Sequence, residues 1–125
     1  MSGLTLDAGA LIAFERNDRR MVALVACALA DGMRLAVPAG VVGQVWRDGR
    51  RQARLARLLE SRVVEVEPLD DRRARAAGQL CGSTGTSDVI DASVVLCARA
   101  RGHGVVTSDP ADIRRLAPTL RIVPA

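Results

Sequence analysis

Four aspartates stand where chemistry can be done. Asp88 and Asp91 lie three residues apart at the head of the apolar run "GTSDVIDASVVLCAR", from Gly85 to Arg99. Residues three apart on a helix share a face. Two like charges therefore point one way beside Ile90 and Ala92, where an unpaired carboxylate is costly. Asp7 and Asp109 each close a short apolar run and precede a helix-like segment. An ordinary reading exists for most of them. Asp is a good N-cap, Pro110 suits a first helical position, and Ser87 with Asp88 suits the start of the next helix. Asp91 fits that reading least, because a helix dipole favours a first-turn acid by only ~0.3–1 kcal/mol. If the four acids converge at one edge, they raise one another's pKa unless a cation stands between them. Oxygen-only ligation suits Mg²⁺ or Mn²⁺ rather than zinc.

Composition narrows the chemistry. All 18 basic residues are Arg, which excludes a lysine Schiff base or a P-loop. The only histidine, His103, sits in "RGHG" and reads as loop, so a serine or cysteine hydrolase triad has no evident base. Net charge is +4 and the pI is near 10.1, which favours a polyanionic partner. Phe14 and Trp46 are the only aromatics, which argues against single-strand binding by base stacking. Acids holding Mg²⁺ within a basic protein describe phosphodiester cleavage, with Arg on the backbone and a metal activating water. Cys27, Cys81 and Cys97 are odd in number and widely spaced, and read as buried free thiols. The longest apolar stretch, 21–30, is too short to span a membrane, and the N-terminus has no signal-peptide pattern, so the expected location is cytoplasmic.

The elements that must position these acids follow from periodicity. Strands are expected at 4–7, 34–38, 63–69 and 104–109 and in the final "LRIVP". Helices are expected in "AGALIAFERND", at 19–32, in "AGVVGQVWRDG", at 50–61, 70–85 and 87–101, and in "PADIRRLA". Short apolar strands alternating with helices argue for one α/β domain over 1–125, with a mostly parallel sheet covered on both faces. In such sheets the site lies at the carboxyl ends of the strands.

"LTLDAGALIA", "AVPAGVVGQVWRDG", "DVIDASVVLCARARGHGVVTSDPADI" and "LRIVP" together resemble a PIN domain, and more narrowly the VapC toxins of bacterial toxin–antitoxin pairs. The resemblance spans essentially the whole chain. It implies a three-layer α/β/α sandwich and a Mg²⁺- or Mn²⁺-dependent endoribonuclease acting on structured RNA, commonly tRNA or a ribosomal RNA loop. It also implies a homodimer, a VapB-type antitoxin, and in-line attack by an activated water that leaves a 5′-phosphate. Asp7, Asp91 and Asp109 match the family's acids, and Asp88 matches an extra acid sometimes found one turn earlier. Asp7 and Asp91 are expected to bind the metal, with Asp88 and Asp109 completing the shell or positioning water. The family's second acid, usually Glu, falls at Gln44, which can orient a water but not accept its proton. Asp48, four residues on along the expected helix, either replaces the missing charge or is solvated beside Arg47. None of Glu15, Glu60, Glu65 and Glu67 is expected near this motif. An inhibitory antitoxin tail is expected along Phe14, Val41 and Trp46, with an Arg against Asp7 and Asp91. The competing readings are a degenerate PIN domain that binds without cutting, a DNA nuclease, and a receiver- or phosphatase-like protein; the last is disfavoured by the absence of Lys.

Overall fold

A computed structural model describes residues 2–125. Its elements run β1 (Gly3–Leu6), α1 (Ala8–Glu15), α2 (Arg19–Ala30), β2 (Arg34–Pro38), α3 (Ala39–Val45), α4 (Ala53–Glu60), β3 (Val64–Glu67), α5 (Asp71–Thr84), α6 (Val89–Arg101), β4 (Gly104–Thr107), α7 (Pro110–Leu116) and β5 (Ile122–Pro124). The five strands form one sheet in the order β3-β2-β1-β4-β5, and every pairing is parallel. The expectation of a mostly parallel sheet is met by a wholly parallel one. β1 and β4 are buried along their full length, as strands with both faces covered must be. Helices pack mainly in two groups, α1 with α2, α3 and α4, and α6 with α5 and α7, with α3 also meeting α6; this makes the α/β/α sandwich.

The strand order fixes where a site can form. From β1 the chain steps outward through β2 to β3, then returns to place β4 on the other side of β1. The winding direction therefore reverses between β1 and β4, and a crevice opens beyond their carboxyl ends. The expected acids at 7 and 109 flank that crevice.

Two local expectations fail, each for a tertiary reason. The helix expected through Gly49 stops at Val45, with Trp46 extended. Gln52 stops it: its side-chain oxygen accepts from the Arg47 and Asp48 amides at 2.8 and 3.0 Å, while its amide donates to the Val45 carbonyl and to Glu15, each at 2.9 Å. Cys27 is exposed rather than buried, because α2 turns Met21, Val25 and Ala28 inward and leaves Cys27 off that stripe; Cys81 and Cys97 are buried and free. His103 does lie between elements, but it is buried against β1, with Nδ1 3.1 Å from the Thr5 hydroxyl. No helix among the described residues is long and apolar enough to cross a membrane.

Candidate active site

Asp7 leaves β1 and caps α1. Its amide donates to the Val106 carbonyl at 3.1 Å, continuing the β1–β4 ladder, and its Oδ1 accepts from the Ala10 amide at 2.9 Å. Only 7% of Asp7 is exposed. Burial pushes its carboxyl above the usual range, opposed by hydrogen bonds from the Thr107 hydroxyl and the Ala10 and Gly9 amides. Thr107, at the end of β4 and wholly buried, also accepts from the Asp109 amide at 2.8 Å. One hydroxyl thus ties the first acid to the backbone of the last. Thr107 is a positioning residue that the pattern of acids did not single out, although "TSD" holds it.

Gly9 permits this approach. A Cβ there would collide with the Ser108 hydroxyl and sit 2.7 Å from Ser108 Cβ. Any side chain at residue 9 would lever the β4–α7 turn away from α1 and pull Asp109 from Asp7.

On the other side, Gly85 ends α5 in the left-handed region at φ 69°, where a glycine avoids Cβ strain, and turns the chain toward α6. Asp88 caps α6, its Oδ1 accepting from the Asp91 amide at 3.0 Å. Asp91 is half-buried in the first turn. Burial pushes its pKa up to about 6, with further rises from the charges of Asp88, Asp112, Asp7 and Asp109. Asp109 holds the N-cap position of α7 without a side-chain capping bond. Hydrogen bonding to the Asp112 carboxyl and repulsion by its charge raise Asp109 above the usual carboxylate range. Asp112 was not anticipated. The three-residue step in "DPAD", the same as in "DVID", was the available signal.

Capping and clustering therefore coexist. Asp7 and Asp88 satisfy helix starts with one oxygen each, and the starts of α1, α6 and α7 bring five carboxylates within electrostatic reach of one another. Asp88, Asp91 and Asp112 line a cleft of about 360 Å³ with Arg115 and the Gly85–Ser87 turn. The donors are all carboxylate oxygens, the chemistry of a hard divalent cation. Among the described residues, no three His, Cys, Asp or Glu groups stand together closely enough to hold a metal ion as they lie.

Gln44 is exposed on α3 and lines a separate cleft of about 440 Å³. Glu15 and Asp48 share that cleft, so a glutamate does lie near the Gln44 motif in space, contrary to expectation. Asp48 is neither on a helix nor free beside Arg47. It accepts from the Arg50 amide at 3.0 Å and faces the Arg50 and Arg51 side chains at 3.6 and 4.0 Å. Of the three residues expected to line an apolar docking groove, Val41 is instead buried. Trp46 joins Val42, Leu59 and Val66 around an apolar surface depression.

Comparison with known proteins agrees with this architecture. The family model described as "PIN domain" matches residues 4–117. No curated protein sequence matches the chain. Among solved structures, VapBC2 of Rickettsia felis bound to a promoter DNA fragment aligns at TM-score 0.71 and 16% identity, over 98% of each chain. DNA-bound VapBC of Salmonella typhimurium aligns at TM-score 0.68 and 18% identity, over 99% of this chain and 98% of that one. VapC20 of Mycobacterium tuberculosis, a Sarcin-Ricin loop cleaving toxin, aligns at TM-score 0.63 and 17% identity, over 82% of this chain and 87% of its own.

Proposed function

The chain belongs to the PIN-domain family, and from that premise we propose that it is the toxin of a VapBC-type pair, a divalent-metal-dependent endoribonuclease acting on structured RNA. The observation that carries this reading is the convergence of acids at the starts of α1, α6 and α7, with Asp88, Asp91 and Asp112 lining one cleft. The half-buried Asp91, raised by burial and by its four acidic neighbours, is a group that a cation would restore to full charge. In this reading Asp7 and Asp91 hold Mg²⁺ or Mn²⁺, and Asp88 and Asp109 complete the shell or orient water. When bound, the cation supplies positive charge at the scissile phosphate and makes water a better nucleophile near neutral pH. Thr107 and the Ala10 amide hold Asp7 in place, and Asp88 anchors the first turn of α6 beneath Asp91. A VapB-type antitoxin and self-association as a homodimer are part of the same proposal, and a basic chain suits a polyanionic substrate.

The test is cleavage of labelled RNA and DNA in Mg²⁺, Mn²⁺ or chelator. Metal-dependent RNA cutting that leaves 5′-phosphates and is lost in Asp7→Asn and Asp91→Asn supports the reading. Cutting that survives chelator, or in which DNA is the better substrate, overturns it.

A second reading, binding without efficient cleavage, is favoured by Gln44. The position where the family usually has Glu is neutral, exposed and lines a different cleft from Asp91. If Gln44→Glu converts a slow enzyme into a fast one, the neutral side chain is what limits the wild type.

A further inference from the structure

One cation lines the acidic cleft. Arg115 projects from the last turn of α7, one helical turn beyond Asp112, and borders the same cleft as Asp88 and Asp91. Three carboxylates in a cleft would be expected to draw a guanidinium into contact. Yet none of the ion pairs among the described residues includes Arg115. The cleft that Arg115 and the acids share, about 360 Å³, has room for a ligand. Its wall also carries Ser87, and Thr86, whose hydroxyl is held by Thr84 at 3.2 Å. Acids and hydrogen-bond donors therefore share one open cleft. A phosphodiester satisfies both kinds of wall at once: its oxygens accept from a guanidinium and a hydroxyl, and its charge is drawn to whatever cation the acids hold.

We infer that Arg115 is a substrate-binding residue that grips a phosphate of the RNA strand beside the acids, with Ser87 as a neutral donor. The inference rests on the nuclease reading and adds to it the residue that sets the strand's register. The helix dipole offers a plainer role, since a base in the last turn of a helix is favoured there. Arg114 has that role equally, is exposed on the same turn, and does not line the cleft. Arg114 is therefore the control.

The experiment measures binding of a fluorescently labelled, mixed-sequence RNA hairpin at several salt concentrations, with Ca²⁺ present, for wild type, Arg115→Ala, Arg115→Lys and Arg114→Ala. Cleavage of the same hairpin in Mn²⁺ is followed in parallel. Loss of one charge-assisted phosphate contact predicts binding weaker by roughly tenfold or more in Arg115→Ala. The slope of log affinity against log salt should become shallower by about one. Arg115→Lys should recover part of the affinity, and Arg114→Ala should bind like wild type. Equal losses at 114 and 115, an unchanged salt slope, or no binding of the hairpin by wild type overturns the inference. The two readings fail separately. Binding through Arg115 without metal-dependent cutting sinks the nuclease and spares Arg115. Cutting that Arg115→Ala leaves unaltered does the reverse.

Discussion

Replacing Asp91 by Asn should stabilise the metal-free protein at neutral pH while removing its response to divalent cations. A folded-state pKa of about 6 against an ordinary 3.8 means that folding takes Asp91 into surroundings hostile to its charge. The rise is equivalent to about 3 kcal/mol at full value, and screening of a half-exposed group reduces it to about 1.5 kcal/mol. Asn gives up the favourable meeting of a first-turn acid with the helix dipole, ~0.3–1 kcal/mol, so the net gain is about 1 kcal/mol. For a chain of this size that is a melting temperature higher by about 3–5 °C. The sign follows from proton linkage. The folded state holds the Asp91 proton up to about pH 6, whereas the unfolded state releases it near 3.8. Wild-type stability from this group therefore rises as pH falls through that window and is lost as pH climbs above it. The advantage of the variant should be full at about pH 8 and gone at about pH 4. The assay is thermal unfolding in chelator at both pH values, repeated with Mn²⁺. Wild type should gain stability from millimolar Mn²⁺ and the variant should gain far less. An Asn variant less stable than wild type at about pH 8, or one with the same offset at both pH values, refutes the electrostatic reasoning.

Other perturbations test the supporting structure. Gly9→Ala should cost about 1–3 kcal/mol by forcing the Ser108 turn away, and Ser108→Gly in the same chain should recover most of it in a thermal melt. Thr107→Val, which keeps shape but removes the hydroxyl, should leave the Asp109 amide without its partner and destabilise by about 1–3 kcal/mol, and it should also reduce Mn²⁺ stabilisation. Glu67 bridges Arg73 at 2.7 Å and Arg101 at 3.1 Å with a side chain only 10% exposed, so Glu67→Ala should cost about 3 kcal/mol in chemical denaturation. Glu65 pairs with the same Arg101 but is 55% exposed, so Glu65→Ala should cost less than about 1 kcal/mol.

Much of the architecture was legible because strands and helices carried their own periodicity. Each expected strand is present, and β1, β2 and β4 read as apolar runs because both their faces are covered. Asp7, Asp88, Asp91 and Asp109 were legible as a group because an α/β sheet puts strand ends and helix starts on one edge. What stayed hidden was long-range. Gln52 ends α3 from outside the helix, so no local pattern reveals that Asp48 leaves it. Glu15 reaches the Gln44 cleft only because α1 and α3 pack together. His103 is buried by β1, a strand almost the whole chain away. Asp112 was hidden for another reason: an acid one turn into a helix has an ordinary role there, which masks its spacing from Asp109. The exposed thiol of Cys27 was readable in principle, since the inward stripe of α2 passes through Met21, Val25 and Ala28.

The tie between Asp7 and Thr107 has a consequence for the order of biosynthesis. Asp7 is made well before the strand that receives it, since β4 begins only at Gly104. Until β4 is made and has left the exit tunnel, β1 lacks one neighbour, Asp7 lacks the Thr107 hydroxyl, and α7 with Asp109 and Asp112 does not exist. A chain stalled or cleaved before that point carries Asp7, Asp88 and Asp91 at most. The centre is thus completed only once α7 has been made, and termination before that point yields fragments that lack it.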